Sequence, residues 1–278
     1  VAGSDEKFAL DRIRHITRYT FTRGVFLEPH DLRLEPRTDG TQRLLRFDLQ
    51  ITPPAAGQTA TYDAEGNVVH NVWFDGTHEV VTFVTTSETE TLRENPFDFL
   101  LTNRNIRLPL KYTDSEKVPL APALAWSGHD GVRELAQQIL GEAKGETRAF
   151  LDGLNEHIYH NFDIVFRAEG DAWTAAETLA RQSGACRDVA VLFAEACRSV
   201  GMAARFVSGY QEGDKKQDRR DLHAWTEVYL PGAGWRGFDP THGLVVADRH
   251  VAVAASVVPS QAAPVTGTFR GTGVESHI

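Results

Sequence analysis

The chain has 278 residues, of which 41% are hydrophobic, and a formal net charge of -9; a length of this order holds one large or two modest domains, each able to bury a core. The negative balance, with no Arg or Lys cluster interleaved with aromatics, argues against nucleic acid as a partner, because phosphate binding calls for a basic stripe. No stretch approaches the roughly 20 apolar residues that cross a bilayer, and VAGSDEKF lacks the basic-then-apolar order of a secretory signal, so no membrane association is expected; a start at Val leaves open that a leader was trimmed.

From Asp11 to about Leu101 the sequence runs in short alternating segments: IRHITRYTFT, HDLRLEP, RLLRFDLQIT, NVVHNVWFD and HEVVTFVTTSETETL. Period-two alternation broken by turns predicts an antiparallel β-sandwich. DAEGN at Asp63 to Asn67 is a hairpin turn, too short for a calcium loop of about twelve residues. RLPLKY and EKVPLAPALAW are punctuated by Pro and predict a connection between domains. The expected division is therefore an N-terminal β domain over 1–120, a second domain over 121–250, and terminal strands over 251–278.

GVRELAQQIL and ETRAFLDGLNEHIYHNF carry helical spacing, so the second half opens with helices. His157 and His160, at i and i+3, have the spacing to share a metal, but no HExxH and no Cys partner accompany them. A packed or capping role is expected, and no metal or cofactor. Thr174 and Glu177 in TAAETLA match a capping box, so a short helix should end near Arg181 and leave Gln182 to Gly184 as a tight connection.

Cys186 follows that connection and opens an apolar helix in which Val189, Phe193, Cys197 and Val200 share a stripe. Unpaired N–H groups and the positive end of the helix dipole favour an anion there, and Asp188 in the same turn marks a helix start. A free thiol near pKa 8.5 is mostly protonated at neutral pH, so a nucleophilic cysteine needs such a helix N-terminus and a nearby imidazole. Gly184 would let the backbone approach a substrate closely. Cys197, about three turns further on, reads as a small core residue. With only these two cysteines there is no disulfide framework, and a reducing, cytoplasmic setting is expected.

GDKKQDRRD, from Gly213 to Asp221, mixes both signs and predicts a solvated loop. HAWTEVYL then alternates, placing His223, Trp225, Glu227 and Tyr229 on one face of a strand. Trp225 is placed to shield His223 or to wall a groove, and reads equally well as a plain core aromatic. PGAG turns the chain back, and GWRGFD returns antiparallel with Asp239 just before a Pro. An odd-length turn makes paired residue numbers sum to an even value, which puts Asp239 on the face of His223. In the tail, HVAVAASVV predicts a strand closing this sheet and VTGTFRGTG a return to the first domain; neither fixes an oligomeric state.

The order Cys186, His223, Asp239 is that of a nucleophile, its base and an orienting acid. The pattern GxCxD before an apolar helix, then GMAARFVSGY, then DLHAWTEVYLPGAGWRGFDPTHG resembles the core of the transglutaminase-like superfamily, a branch of the papain-like cysteine enzymes, over roughly Trp126 to Arg249. RIRHITRYTFTRGVFLEPHDLRLEPR resembles the N-terminal β domain of its bacterial members. The resemblance implies an α+β fold, with an antiparallel β-sandwich ahead of helices packed on an antiparallel sheet. It implies Cys186 as nucleophile, His223 as base and acid, and Asp239 as the residue that orients the imidazole. The Cys186 N–H is the obvious first oxyanion donor, and the Gln182 amide, Tyr159 hydroxyl and Trp173 indole are candidates for a second. The expected activity is thiol-dependent acyl transfer on amide bonds of a peptide or protein substrate, as a peptidase or amidase, or as a transglutaminase or deamidase. The alternatives are a catalytically retired member that binds peptides or partner proteins in the same groove, and a structural β-sandwich protein. Calcium, used by some animal relatives, has no visible ligand cluster here.

Overall fold

The computed structural model describes residues 9–213 and 221–278, so most of the loop expected at Gly213 to Asp221 lies outside the described residues. Among the described residues two compact units emerge, the first from residues 9–94, 248–254 and 263–278 and the second from 95–213, 221–247 and 255–262. The expected boundary at 120/121 falls inside a helix of the second unit.

The first unit holds β1 (Ala9–Leu27), β2 (His30–Leu32), β3 (Gln42–Thr52), β4 (Gly57–Tyr62), β5 (Val68–Trp73) and β6 (His78–Thr91). One antiparallel sheet runs β1-β6-β3 and the other β2-β5-β4. On β6 every second residue from Val81 to Thr91 is buried, the alternation that a strand with one covered face requires. The Phe83 ring lies 6.1 Å from His30 and 6.5 Å from Phe74, which joins the inner faces of the two sheets. DAEGN turns between β4 and β5, with Gly66 at a φ of 81° and the Asp63 N–H donating to the Asn67 carbonyl at 3.0 Å. β4 is an addition to the sequence-based expectation.

Among the described residues, the second unit places five α-helices against a sheet. The helices are α1 (Asp114–Leu124), α2 (Asp130–Glu142), α3 (Thr147–Asn161), α4 (Ala175–Arg181) and α5 (Cys186–Ser199). The short strands β7 (Asp163–Ile164) and β8 (Ser183–Gly184) form a parallel pair, and β9 (Ala204–Gln211), β10 (His223–Leu230), β11 (Gly234–Asp239) and β12 (Leu244–Val245) an antiparallel sheet. α1 corrects the reading of EKVPLAPALAW as a connection. The Glu116 N–H donates to Thr113 Oγ1 at 3.3 Å and the Thr113 N–H to Glu116 Oε2 at 2.7 Å, a reciprocal cap that starts the helix. Pro119 and Pro122 sit on its exposed side while Leu120 and Ala123 are buried.

The core centres on α5, whose Val189, Leu192, Phe193 and Ala196 pack with Val132, Leu135 and Ile139 of α2, Phe150 and Leu154 of α3, and Val228 and Phe238 of the sheet. Phe193 and Phe238 stack with ring centroids 5.6 Å apart. Burying a side chain of this kind contributes about 1.5–3 kcal/mol, so the position of α5 on its sheet is strongly determined. Later in the chain come β13 (His250–Ser256), β14 (Val265–Thr266), β15 (Phe269–Arg270) and β16 (Ser276–His277). β14 pairs with β2, while β15 and β16 pair with β1, so the tail returns to the first unit.

Candidate active site

The turn ahead of α5 is built as the sequence indicates. Thr174 caps α4 by accepting the Glu177 N–H at 3.2 Å, but the Glu177 carboxylate accepts from Arg181 Nη2 at 3.0 Å, so the expected capping box is half made; Gln182 ends that helix in the left-handed region with a φ of 49°. Two residues of β8 follow, and Cys186 is the first residue of α5. The thiol is partly exposed at the end of the helix where N–H groups lack intrahelical acceptors. Asp188, the third residue of α5, is fully buried. Its Oδ2 accepts from the Ala185 N–H at 2.7 Å and from Arg167 Nη1 at 2.6 Å, and its Oδ1 from the Trp173 N–H at 2.8 Å. A buried carboxylate needs such partners, and together they lock the turn that carries the sulfur.

Gly184 makes room for the Asp188 side chain. It is buried, and a Cβ there would come within 2.8 Å of Asp188 Cβ and 3.3 Å of Thr178 Cγ2. The close approach is therefore between α4, α5 and the turn.

β10 and β11 pair with Thr226 opposite Phe238 and Leu230 opposite Gly234, the even register. Gly232 and Gly234 take φ values of 90° and 73°, which the three-residue turn requires. Asp239 consequently falls on the face of His223, and His223 Nε2 donates to Asp239 Oδ2 at 2.8 Å. The imidazole also hydrogen-bonds the Cys186 side chain; with Nε2 engaged, Nδ1 is left for the sulfur. The Thr226 hydroxyl donates to the Ala190 carbonyl at 2.7 Å and ties β10 to α5. Burial of the ring opposes its charge, but the hydrogen bonds to Asp239 and Cys186, and then their negative charges, outweigh it and raise His223 to about 10.

Asp239 is fully buried and carries a second imidazole that the sequence reading missed. His242 Nδ1 donates to the same Oδ2 at 2.9 Å, and its ring lies 5.0 Å from that of His223. The Thr241 N–H donates to Oδ1 at 3.1 Å. FDPTH holds the only sequence signal, a carboxylate followed by donors within a tight turn. Asp239 thus holds both rings, and of the two His223 also meets the thiol, an arrangement suited to moving a proton.

The remaining candidates each have partners of their own. Trp225 lies 6.2 Å from the His223 ring and is fully buried, so it shields the base and does not wall an open groove. Gln182 sits four positions ahead of Cys186, its carbonyl accepting the Asp163 N–H at 3.0 Å. The Trp173 ring is held between the Arg167 and Arg181 guanidinium groups, 4.1 and 4.4 Å from its centre. Tyr159 packs on Gly243, where a Cβ would meet its ring at 3.0 Å. His157 packs on Phe162 and His160 on Tyr159, with ring centroids 6.4 and 4.8 Å apart. Cys197 is fully buried in the core, as expected of a structural thiol.

Comparison with known proteins agrees with this architecture. The profile of the bacterial transglutaminase-like N-terminal region matches residues 12–90, and that of the transglutaminase-like superfamily matches residues 133–240, the span that contains Cys186, His223 and Asp239. An uncharacterized protein of Mycobacterium tuberculosis is 26% identical over 259 residues, covering 87% of this chain and 82% of its own length. A protein-glutamine gamma-glutamyltransferase of Pseudomonas aeruginosa is 27% identical over 163 residues, 55% of this chain and 22% of that protein. A solved structure from Cytophaga hutchinsonii, named provisionally as a cysteine protease, superposes with a TM-score of 0.69 at 20% identity, covering 97% of this chain and 92% of that one. With one profile on the strands of the first unit and the other on the helices and sheet of the second, the chain belongs to the transglutaminase-like superfamily, in the form that carries the bacterial N-terminal region.

Proposed function

We propose that the protein is a thiol-dependent acyl-transfer enzyme acting on amide bonds of peptides or proteins. One observation carries the reading: the Cys186 side chain is hydrogen-bonded to His223, and His223 is hydrogen-bonded to a buried Asp239. A binding module has no need of all three.

In this mechanism the Cys186 sulfur, its proton passed to His223, attacks the amide carbonyl and forms a tetrahedral oxyanion. His223 then gives its proton to the departing amine as the C–N bond breaks, leaving a thioester on Cys186. Water or a second amine, deprotonated by His223, attacks the thioester and releases the thiol. Asp239 holds the imidazole with Nδ1 toward the sulfur and stabilises imidazolium, and the His223 value of about 10 favours that charged form through the first step. The Cys186 N–H is the first oxyanion donor, and the Gln182 amide, four positions upstream, is the second we favour. The choice between water and amine depends on what the cleft admits. Two free cysteines suit a reducing, cytoplasmic setting.

The test is to incubate the full chain with labelled casein, alone and with a fluorescent primary amine. Cleavage, deamidation or amine incorporation is expected from the wild type and none from Cys186→Ala; equal signals from both proteins would refute the proposal. Substitution Gln182→Ala should slow turnover about 100- to 1000-fold if its amide binds the oxyanion.

A further inference from the structure

Three successive apolar side chains stand in solvent beside the proposed nucleophile. Ile164 is 42% exposed, Val165 37% and Phe166 76%. A run of this kind is unfavourable in water and ordinarily has a function when it persists in a folded protein.

The backbone fixes where Phe166 stands. On one side, the Val165 N–H donates to the Gly184 carbonyl at 3.0 Å, two residues before Cys186. On the other, Arg167 Nη1 donates to Asp188 Oδ2 at 2.6 Å, and the Arg167 carbonyl accepts from Arg187 Nη1 at 2.8 Å. The neighbours of Phe166 are thus tied to both sides of Cys186 in sequence. Consecutive Cα atoms lie about 3.8 Å apart, so Phe166 is held at the sulfur-bearing end of α5. Further along, Arg187 Nη2 donates to the Glu169 carbonyl at 2.8 Å and Arg167 Nη2 to the Asp171 carbonyl at 2.9 Å. The segment is a fixed ledge beside a partly exposed thiol.

Resting on the acyl-transfer reading, we propose that Phe166, with Ile164 two positions before it, forms an apolar subsite for the acyl donor. It selects substrates with a bulky aliphatic or aromatic side chain next to the carbonyl that Cys186 attacks. The occupant is the substrate because the ledge is continuous with the nucleophile, and covering it would remove apolar surface from water in the same event that positions the carbonyl.

Three alkylating probes test this on the full chain: iodoacetamide, the chloromethyl ketone of acetyl-phenylalanine, and that of acetyl-asparagine. With either ketone, the Cys186 sulfur forms a C–S bond to the probe methylene as chloride leaves, and Cys197 is fully buried and out of reach. Relative to iodoacetamide, the phenylalanine probe should react at least about tenfold faster than the asparagine probe, the scale of discrimination by an apolar pocket. Phe166→Ser should bring the two ketones to within about threefold of each other and Phe166→Leu should keep the preference, both with unchanged iodoacetamide rates. Equal ketone rates in the wild type, or a preference that survives Phe166→Ser, would overturn the subsite alone and leave the ledge to another occupant. Iodoacetamide labelling at the rate of an ordinary thiol would remove the catalytic reading and the subsite with it.

Discussion

The two ends of α5 carry the chain's two cysteines in opposite surroundings. Cys197 lies in the middle of the core among Leu192, Phe193 and Ala196, and burial raises its thiol far above the usual range despite the neighbouring Arg198. Cys186, about three turns away, is partly exposed, opens the helix at its N-terminus and hydrogen-bonds His223. One residue type on one helix therefore gives a packing group at one end and a partly exposed thiol beside an imidazole at the other. The difference is set by the dipole, the neighbours and access to water.

Exchanging the two ends gives the largest expected contrast. Cys186→Ala should lower turnover by a factor on the order of 10,000 or more with little change in stability. Cys197→Ala should keep activity within about twofold and cost about 1–2 kcal/mol, the scale of a small core cavity; urea unfolding and the casein assay read the two effects separately.

Next in size is Asp239→Ala, expected to slow turnover about 100- to 1000-fold, the range assigned to a positioned acid–base group. Asp239 contributes to holding His223 near 10, so its loss should also move the alkaline limit of the pH–rate profile downward. An unchanged limit would show that Asp239 does not govern the imidazole.

Asp188→Ala tests the scaffold under the sulfur. It strips a buried partner from Arg167 and from the Ala185 and Trp173 N–H groups, and should cost about 3 kcal/mol in urea unfolding. The smallest effect is expected at His242. Removing its donor with His242→Ala should slow Cys186 alkylation about tenfold, in line with a charge-assisted hydrogen bond. The amide of His242→Asn, placed near the former Nδ1, should restore most of the rate; equal rates in both variants would give His242 no positioning role.

Much of the centre was legible because local chemistry specifies it. A Gly-containing turn before an apolar stripe places Cys186 at a helix start, and strict alternation plus an odd turn puts Asp239 on the face of His223. What escaped depends on segments that meet only in three dimensions. Arg167 reaches Asp188 from a different segment, and His242 shares Asp239 only because the turn after β11 folds back. β4 escaped because GQTATY is almost wholly exposed and carries no apolar alternation. α1 escaped because its prolines read as breakers, although TDSE spells the cap that starts it.

The most direct test of the central claim is the second-order rate of Cys186 alkylation by iodoacetamide from pH 5 to 10. His223, raised to about 10, keeps its proton through neutral pH and loses it only as the pH rises past that value, so the sulfur faces a cation across the physiological range. Fast alkylation well below pH 8, slowed in His223→Ala, is the expected result. A rate that climbs with pH as for an ordinary thiol of pKa about 8.5, and that is indifferent to His223→Ala, would contradict it.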